Sequence, residues 1–267
     1  MNLGDYMNET IENKDFSDLR EKEMLILGKI QANTIRNKGE YPLFDGIIDI
    51  EKYILAKYKI LWILREPIDS WRTDKITGEK IIGGWNLTKD LYNNSNYDGI
   101  CSNTTTRREL LIDNAILNDT KYDLGEIYKY SKIISSTDKE KALSNFKSTA
   151  IINIKKIPGK KLSVEKEIRE SFNKYKEILI EQMNLYNPDI VLCGNTLHYF
   201  EEDIDFRKGA KFPTGIKGHN YFCLKNRIYI NLYHPSHRSF PNTKYEHNYI
   251  HSVISAVNHW KNEYKKT

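Results

Sequence analysis

Arg227-Ile228-Tyr229-Ile230-Asn231-Leu232-Tyr233-His234-Pro235-Ser236-His237-Arg238 is an apolar strand pattern that runs straight into a Pro-Ser turn. Its near-continuous apolar character suits a strand covered on both faces, the kind found in parallel sheets. Pro235 fixes its own φ and pushes His234 toward an extended conformation, so the imidazole leaves the strand tip at a defined angle. A strand end is rigid and a turn is accessible. Taken alone, the segment also reads as a surface loop that carries two histidines.

Three more runs of this kind precede it: Tyr58 to Leu64, Thr149 to Ile154 and Asp189 to Cys193. Each is followed by turn residues and then a helical or mixed segment, the alternation of parallel βαβ units. The pattern predicts an α/β fold with three α/β/α layers and a central four-stranded, mostly parallel sheet. Between the second and third strands, Ser163 to Tyr186 reads as a helix with Ser163 as N-cap and Ile168, Phe172, Tyr175, Leu179 and Met183 on one stripe. Asn187-Pro188 ends it. A helix is expected after Gly194-Asn195 and another over Tyr245 to Lys261, with Tyr249, Val253, Ala256 and Trp260 on one face. Residues 1–45 read as an N-terminal helical extension, with Leu19, Met24, Leu25, Leu27 and Ile30 as packing positions on a core of residues 46–267. Residues 68–130 are polar and turn-rich, a long excursion after the first strand.

The chain has 267 residues, 39% of them hydrophobic, enough for one sizeable core. It contains no run of eighteen apolar residues, and its first residues lack the basic-then-apolar order of a secretory signal, so a soluble, cytoplasmic protein without a membrane partner is expected. Cys101, Cys193 and Cys223 are far apart and form no CxxC pair, which points away from a disulfide framework or a cysteine metal cluster. The net charge of +5 is compatible with a polyanionic partner. Tyrosines interleave with lysines, as in Tyr128-Lys129-Tyr130, although codon bias alone inflates both residue types.

In open α/β sheets ligands bind at the carboxyl ends of the strands. There the four runs deliver Arg65-Glu66-Pro67, Asn153, Gly194-Asn195-Thr196 and His234-Pro235-Ser236. This ordered set resembles the uracil-DNA glycosylase superfamily. The second element, Ile152-Asn153-Ile154-Lys155-Lys156-Ile157-Pro158, is similar to the branch that reads Asn, Lys three residues later, and a nearby Pro. Asn187-Pro188-Asp189-Ile190-Val191-Leu192-Cys193-Gly194 is similar to the family's proline, apolar strand and glycine. The likeness spans roughly residues 55–260. It departs from the family pattern at Arg65, where a glycine is usual, and it lacks the cysteines of the iron-sulfur branch, so no cofactor is expected.

The resemblance implies an enzyme that flips a base out of DNA and hydrolyses its N-glycosidic bond, leaving an abasic site. His234 would donate a hydrogen bond to the departing base, a role that does not require full protonation. Glu66, with Asp69 as substitute, would orient or deprotonate water. The Asn153 amide would read the base edge, matching uracil in one orientation and a cytosine-type edge in the other. Trp85 after Gly83-Gly84, or Trp71, would form the stacking platform. Ser236, His237, Lys155, Lys156, Lys160, Lys161 and Arg65 would face the DNA backbone, and Arg238 or Phe240 would fill the gap left by the flipped base. The altered first motif and the 68–130 excursion suggest a modified pyrimidine, such as one in phage DNA met during defence, beside uracil as substrate. Two rivals stand next to this reading. One is a DNA-binding member of the fold whose first motif no longer activates water. The other is a metal hydrolase built on His234, His237, His247 and His251.

Overall fold

Each of the four apolar runs is a strand in the computed structural model, which describes residues 3–34, 39–69, 71–93, 96–120, 136–159, 163–224, 226–237 and 243–265. The first half of the chain gives α1 (Leu3–Asn33), β1 (Gly46–Ile47), α2 (Ile50–Leu55), β2 (Ile60–Leu64), β3 (Arg72–Thr73), β4 (Lys80–Ile81), α3 (Leu87–Asn93), α4 (Tyr97–Ser102) and α5 (Thr104–Leu117). The second half gives α6 (Ser136–Lys147), β5 (Ala150–Asn153), α7 (Glu165–Tyr186), β6 (Ile190–Gly194), β7 (Ala210–Pro213), β8 (Asn220–Leu224), β9 (Arg227–Leu232) and α8 (Thr243–Glu263).

The main sheet has the order β1-β5-β2-β6-β9-β8-β7. Its centre is the expected parallel quartet, β5, β2, β6 and β9, with Leu64 opposite Asn153 and Gly194 opposite Leu232. The carboxyl ends of all four therefore come out on one edge. β5 lies on one side of β2 and β6 on the other, so the winding reverses at β2, and a crevice opens at such a reversal.

Among the described residues the sheet has seven strands, not the four expected. β1 adds antiparallel to β5 through only two residues, too short to leave a periodic signal. β8 and β7 extend the other edge as an antiparallel hairpin, half exposed in alternation, so neither carries the doubly covered apolar run of a central strand. Gly215 and Gly218, at φ +83° and +80°, turn that hairpin.

Strand alternation feeds two cores. Ile60, Trp62 and Leu64 face α5, α6 and α8, while Leu61 and Ile63 face α1, α2 and α7. The layering is thus α/β/α. In α7 the stripe Ile168, Phe172, Tyr175, Leu179 and Met183 is buried as expected. The helix begins at Glu165, however, and its N-cap is Val164 without a side-chain bond, so Ser163 does not cap it. Asn187 at φ +42° ends it. Behind β6 the expected helix is only a 3-10 turn, Leu197–Tyr199. The stripe Tyr249, Val253, Ala256 and Trp260 of α8 is buried.

In α1 the core positions are Ile26 and Ile30, with Leu19 and Leu27 partly covered, whereas Met24 and Leu25 are 63% and 62% exposed. The inward face is set by α7: Lys29 pairs with Glu181, and Glu23 takes hydrogen bonds from Tyr186 and the Ile47 amide. The strip after α1 is built into the main body, since Leu43 N–H donates to Lys156 O at 2.7 Å and Phe44 bridges Asn86. The excursion after β2 holds the β3-β4 ribbon, α3 and α4, and then returns to the core as α5.

α5 is more polar inside than its position suggests. Asp113 accepts from the Trp62 indole at 2.9 Å, and Glu109 lies one turn earlier, fully buried. Burial pushes the Glu109 carboxyl up to about 8 and raises Asp113 well above the usual carboxylate range.

Candidate active site

His234 stands one residue beyond Tyr233, just past the end of β9, half-buried. Its Nδ1 lies 2.8 Å from Ser236 Oγ and accepts the Ser236 amide at 3.2 Å. An acceptor Nδ1 leaves the proton on Nε2, so the ring is a neutral imidazole that offers one N–H donor away from its own turn. Burial pushes its pKa down to about 4, helped by the positive charges of Arg65 and His237. Proline and glycine both contribute to the placement. A Cβ at Gly194 would meet Leu64 Cδ2 at 3.0 Å and Pro235 Cδ at 3.3 Å, so glycine lets the β6 end pass close beneath the His-Pro turn without pushing these side chains aside. Asn195 follows in the left-handed region at φ +61° and donates its N–H to Leu232 O at 2.7 Å.

The turn is braced from outside. Buried Arg108 of α5 donates to the carbonyls of Pro235 and His237 and pairs with Glu246 of α8. The Tyr249 hydroxyl donates to Tyr233 O at 2.9 Å, and His237 stacks on the Tyr233 ring at 4.6 Å and 15°. None of these braces was foreseen. An arginine inside an amphipathic helix reads as a solvated face, and nothing local says that it reaches a turn 127 residues away.

Arg65 and Glu66 emerge from β2. The Arg65 guanidinium pairs with Glu165 at 2.7 Å, and Glu165 also accepts from the Tyr199 hydroxyl. Glu66 is buried, its Oε2 3.0 Å from Lys155 Nζ. A Cβ at Gly159 would fall 1.6 Å from Glu66 Oε2, so the carboxylate is pressed onto that glycine. Lys155 also holds Glu167 at 2.7 Å. Burial alone would lower the Lys155 pKa, but the bonds to Glu167 and Glu66 outweigh it and raise it.

Asn153 is buried at the β5 end. Its N–H donates to Asp45 Oδ2 at 2.7 Å, and its Nδ2 lies 3.3 Å from the same oxygen. A carboxylate accepts only, so the amide nitrogen is the atom turned to Asp45 and the orientation left open by sequence is fixed. Two strands separate β5 from β9, so about 14 Å lies between their axes at a spacing of roughly 4.8 Å. Asn153 and His234 thus stand at the ends of the two outer strands of the parallel quartet.

Lys156 does not belong to the phosphate-facing set expected from sequence. Its side chain is 0% exposed and its Nζ is 2.7 Å from the equally buried Asp45 carboxylate, with Gln182 Oε1 at 3.2 Å. Burial lowers its pKa and Asp45 opposes that. Successive lysines on a strand extension point to opposite sides, so Lys155 reaches the site edge while Lys156 goes under the sheet.

Asp69 anchors the excursion. Its Oδ2 collects Gly83 N–H at 2.9 Å, Trp85 Nε1 at 3.0 Å and Arg72 at 3.1 Å, tying the excursion to the site. Trp85 is half-buried by that bond. Trp71 is 51% exposed and, with Lys155, Gly159, Glu167 and Asp69, lines a cleft of about 650 Å³ beside Glu66. Ser236 is exposed at the tip of the His234 turn. Arg238, Phe240, Lys160 and Lys161 lie outside the described residues.

The four histidines of the metal alternative are not gathered. Among the described residues, no group of three or more His, Cys, Asp or Glu side chains is placed to hold a metal ion. No described helix is long and apolar enough to cross a membrane. The chain matches no family model, no curated protein and no solved structure.

Proposed function

We propose that this chain is a divergent member of the uracil-DNA glycosylase superfamily, an N-glycosylase that flips a uracil or modified pyrimidine out of DNA and leaves an abasic site. The observation that carries the reading is the tautomer of His234. Its Nδ1 is satisfied within the turn, and Nε2–H is a preorganised donor for the oxygen that becomes negative as the glycosidic bond breaks. Because the ring stays neutral down to about pH 4, it gives a hydrogen bond rather than a proton. Arg65, close enough to depress His234, adds a positive field on the same side, which favours the anionic leaving base. Asn153, whose amide is held by Asp45, is the residue this reading assigns to the base edge. Glu66 at the β2 end supplies a carboxylate for the sugar cation or for water. In this reading DNA is the partner, contacted by the Ser236 turn and Lys155.

A second reading has one specific observation behind it. Glu66 is already paired with Lys155 and pressed against Gly159, the arrangement expected of a DNA-binding member that no longer activates water. Incubation with duplexes carrying uracil, modified cytosines or normal bases, followed by alkali to cut abasic sites, separates the two. The glycosylase reading expects cleavage of at least one substrate and a loss of about 10²–10³ in rate in His234→Ala. Salt-dependent DNA binding without cleavage of any substrate supports the binding-only member, and neither binding nor cleavage defeats both.

A further inference from the structure

We propose that His219 is the positioning residue of the site: it caps the end of β9 and fixes the backbone from which His234 is presented. The catalytic consequence rests on the glycosylase reading above, whereas the capping itself does not.

The β8-β9 ladder ends at Asn220 opposite Asn231. Beyond it the backbone of His219 turns away, its N–H donating to Ile216 O and its carbonyl accepting from Thr214. At the point where β9 gives way to the His-Pro turn, the Tyr233 N–H meets a side chain and not the β8 backbone. The His219 side chain fills that place, with Nε2 accepting the Tyr233 N–H at 2.8 Å. An acceptor Nε2 requires the proton on Nδ1, and among the described residues the buried Nδ1 has no hydrogen-bond partner. Such an orphan donor disfavours the folded state, and a phenylalanine would fill the same pocket against Tyr233 and Tyr249 without it. What a phenylalanine lacks is the Nε2 acceptor. Burial, followed by the His237 charge, lowers the His219 pKa to about 4, so the acceptor persists at neutral pH.

The capped residue is adjacent to His234, and the next amide bond in the turn, His237 N–H to His234 O at 2.7 Å, closes the loop on the other side. Tyr233 is also pinned at its carbonyl by Tyr249. With its N–H released, the Leu232–Tyr233 peptide gains freedom to rotate, Tyr233 is held only at its carbonyl by Tyr249, and the aim of Nε2–H is loosened. Misplacement of a catalytic group by about 1 Å can lower a rate by roughly 10²-fold.

The test compares His219→Leu, which removes the acceptor, with His219→Gln, whose amide oxygen reaches about as far as Nε2. Three quantities are measured: hydrogen exchange at the Tyr233 amide, the single-turnover excision rate, and duplex affinity. In His219→Leu the Tyr233 amide should exchange at least about tenfold faster, and excision should slow by about 10- to 100-fold at unchanged affinity. His219→Gln should restore both to within a few fold. Where the leucine variant does not fold, His219→Asn, too short to reach Tyr233, replaces it. Unchanged Tyr233 protection in the leucine variant, or equal impairment in the glutamine variant, overturns the proposal. A wild-type protein that cuts no substrate removes the glycosylase reading and the catalytic half of the proposal, while the exchange data still decide the cap.

Discussion

Replacing Lys156 by Met separates two accounts of one lysine. The Lys156 and Asp45 side chains are both 0% exposed and their charged atoms are 2.7 Å apart. Removing the ammonium leaves a buried carboxylate without its counter-charge, a loss of about 3–5 kcal/mol in comparable pairs. Asp45 keeps the Asn153 amide at 2.7 Å and Gln182 Nε2 at 3.4 Å, which places the loss near the lower end, about 3 kcal/mol. At about 2–4 °C per kcal/mol for a domain of this size, Tm should fall by about 6–12 °C. The double variant Asp45→Asn with Lys156→Met holds no buried charge at this site and should recover part of that fall. Thermal unfolding by circular dichroism at pH 7 measures both, and the salt dependence of DNA binding is followed in parallel. A surface lysine on a phosphate behaves in the opposite way, lowering the salt slope by about one while leaving Tm in place. If Lys156→Met unfolds within about 1 kcal/mol of the wild type and the slope falls, the buried-pair argument is refuted.

Three further outcomes are expected. Glu109 is neutral in the fold, its pKa raised from 4.5 to about 8, so its contribution is fully present below pH 4.5 and is lost as pH rises through about 8; Glu109→Gln should flatten denaturant stability across pH 5–9, and an unchanged slope counts against it. Gly159→Ala drives a methyl group to 1.6 Å from Glu66 Oε2, so it should displace the carboxylate from Lys155 and lower excision at least tenfold for an overpacking loss of about 1–3 kcal/mol; full activity would clear Glu66 of any role. Arg108→Met orphans two turn carbonyls and leaves Glu246 to Arg107 alone, and should lower stability by about 2–4 kcal/mol with a parallel loss of activity, read by urea unfolding and single-turnover rates.

The parallel quartet was legible because a strand covered on both faces writes a near-continuous apolar run, as in Tyr58–Leu64 and Ile228–Leu232, and the four runs alternate with helical segments. The hairpin β7-β8 was not, since a half-exposed edge strand alternates weakly, and β1 is two residues long. α1 was read correctly as a helix and at Leu19, Leu27 and Ile30, but Met24 and Leu25 were included and Ile26 missed, because all are apolar and only the position of α7 chooses among them.

The sequence by itself determined which side chains stand at the strand ends, because strand length and Pro235 are local properties of the chain. It thereby placed His234, Asn153 and Glu66 on one edge. What each of them can do was decided by residues on other elements: Asp45 orients the Asn153 amide, Lys155 and Gly159 confine Glu66, and Arg108 and His219 hold the turn beneath His234. Hydrogen bonds and burial depend on which atoms meet between separate elements, across 108 residues for Asp45 and Asn153 and 127 for Arg108 and Pro235, and periodicity along the chain carries no record of that. The same limit explains Lys155 and Lys156, neighbours of one type, one at the rim of the site and the other sealed beneath the sheet.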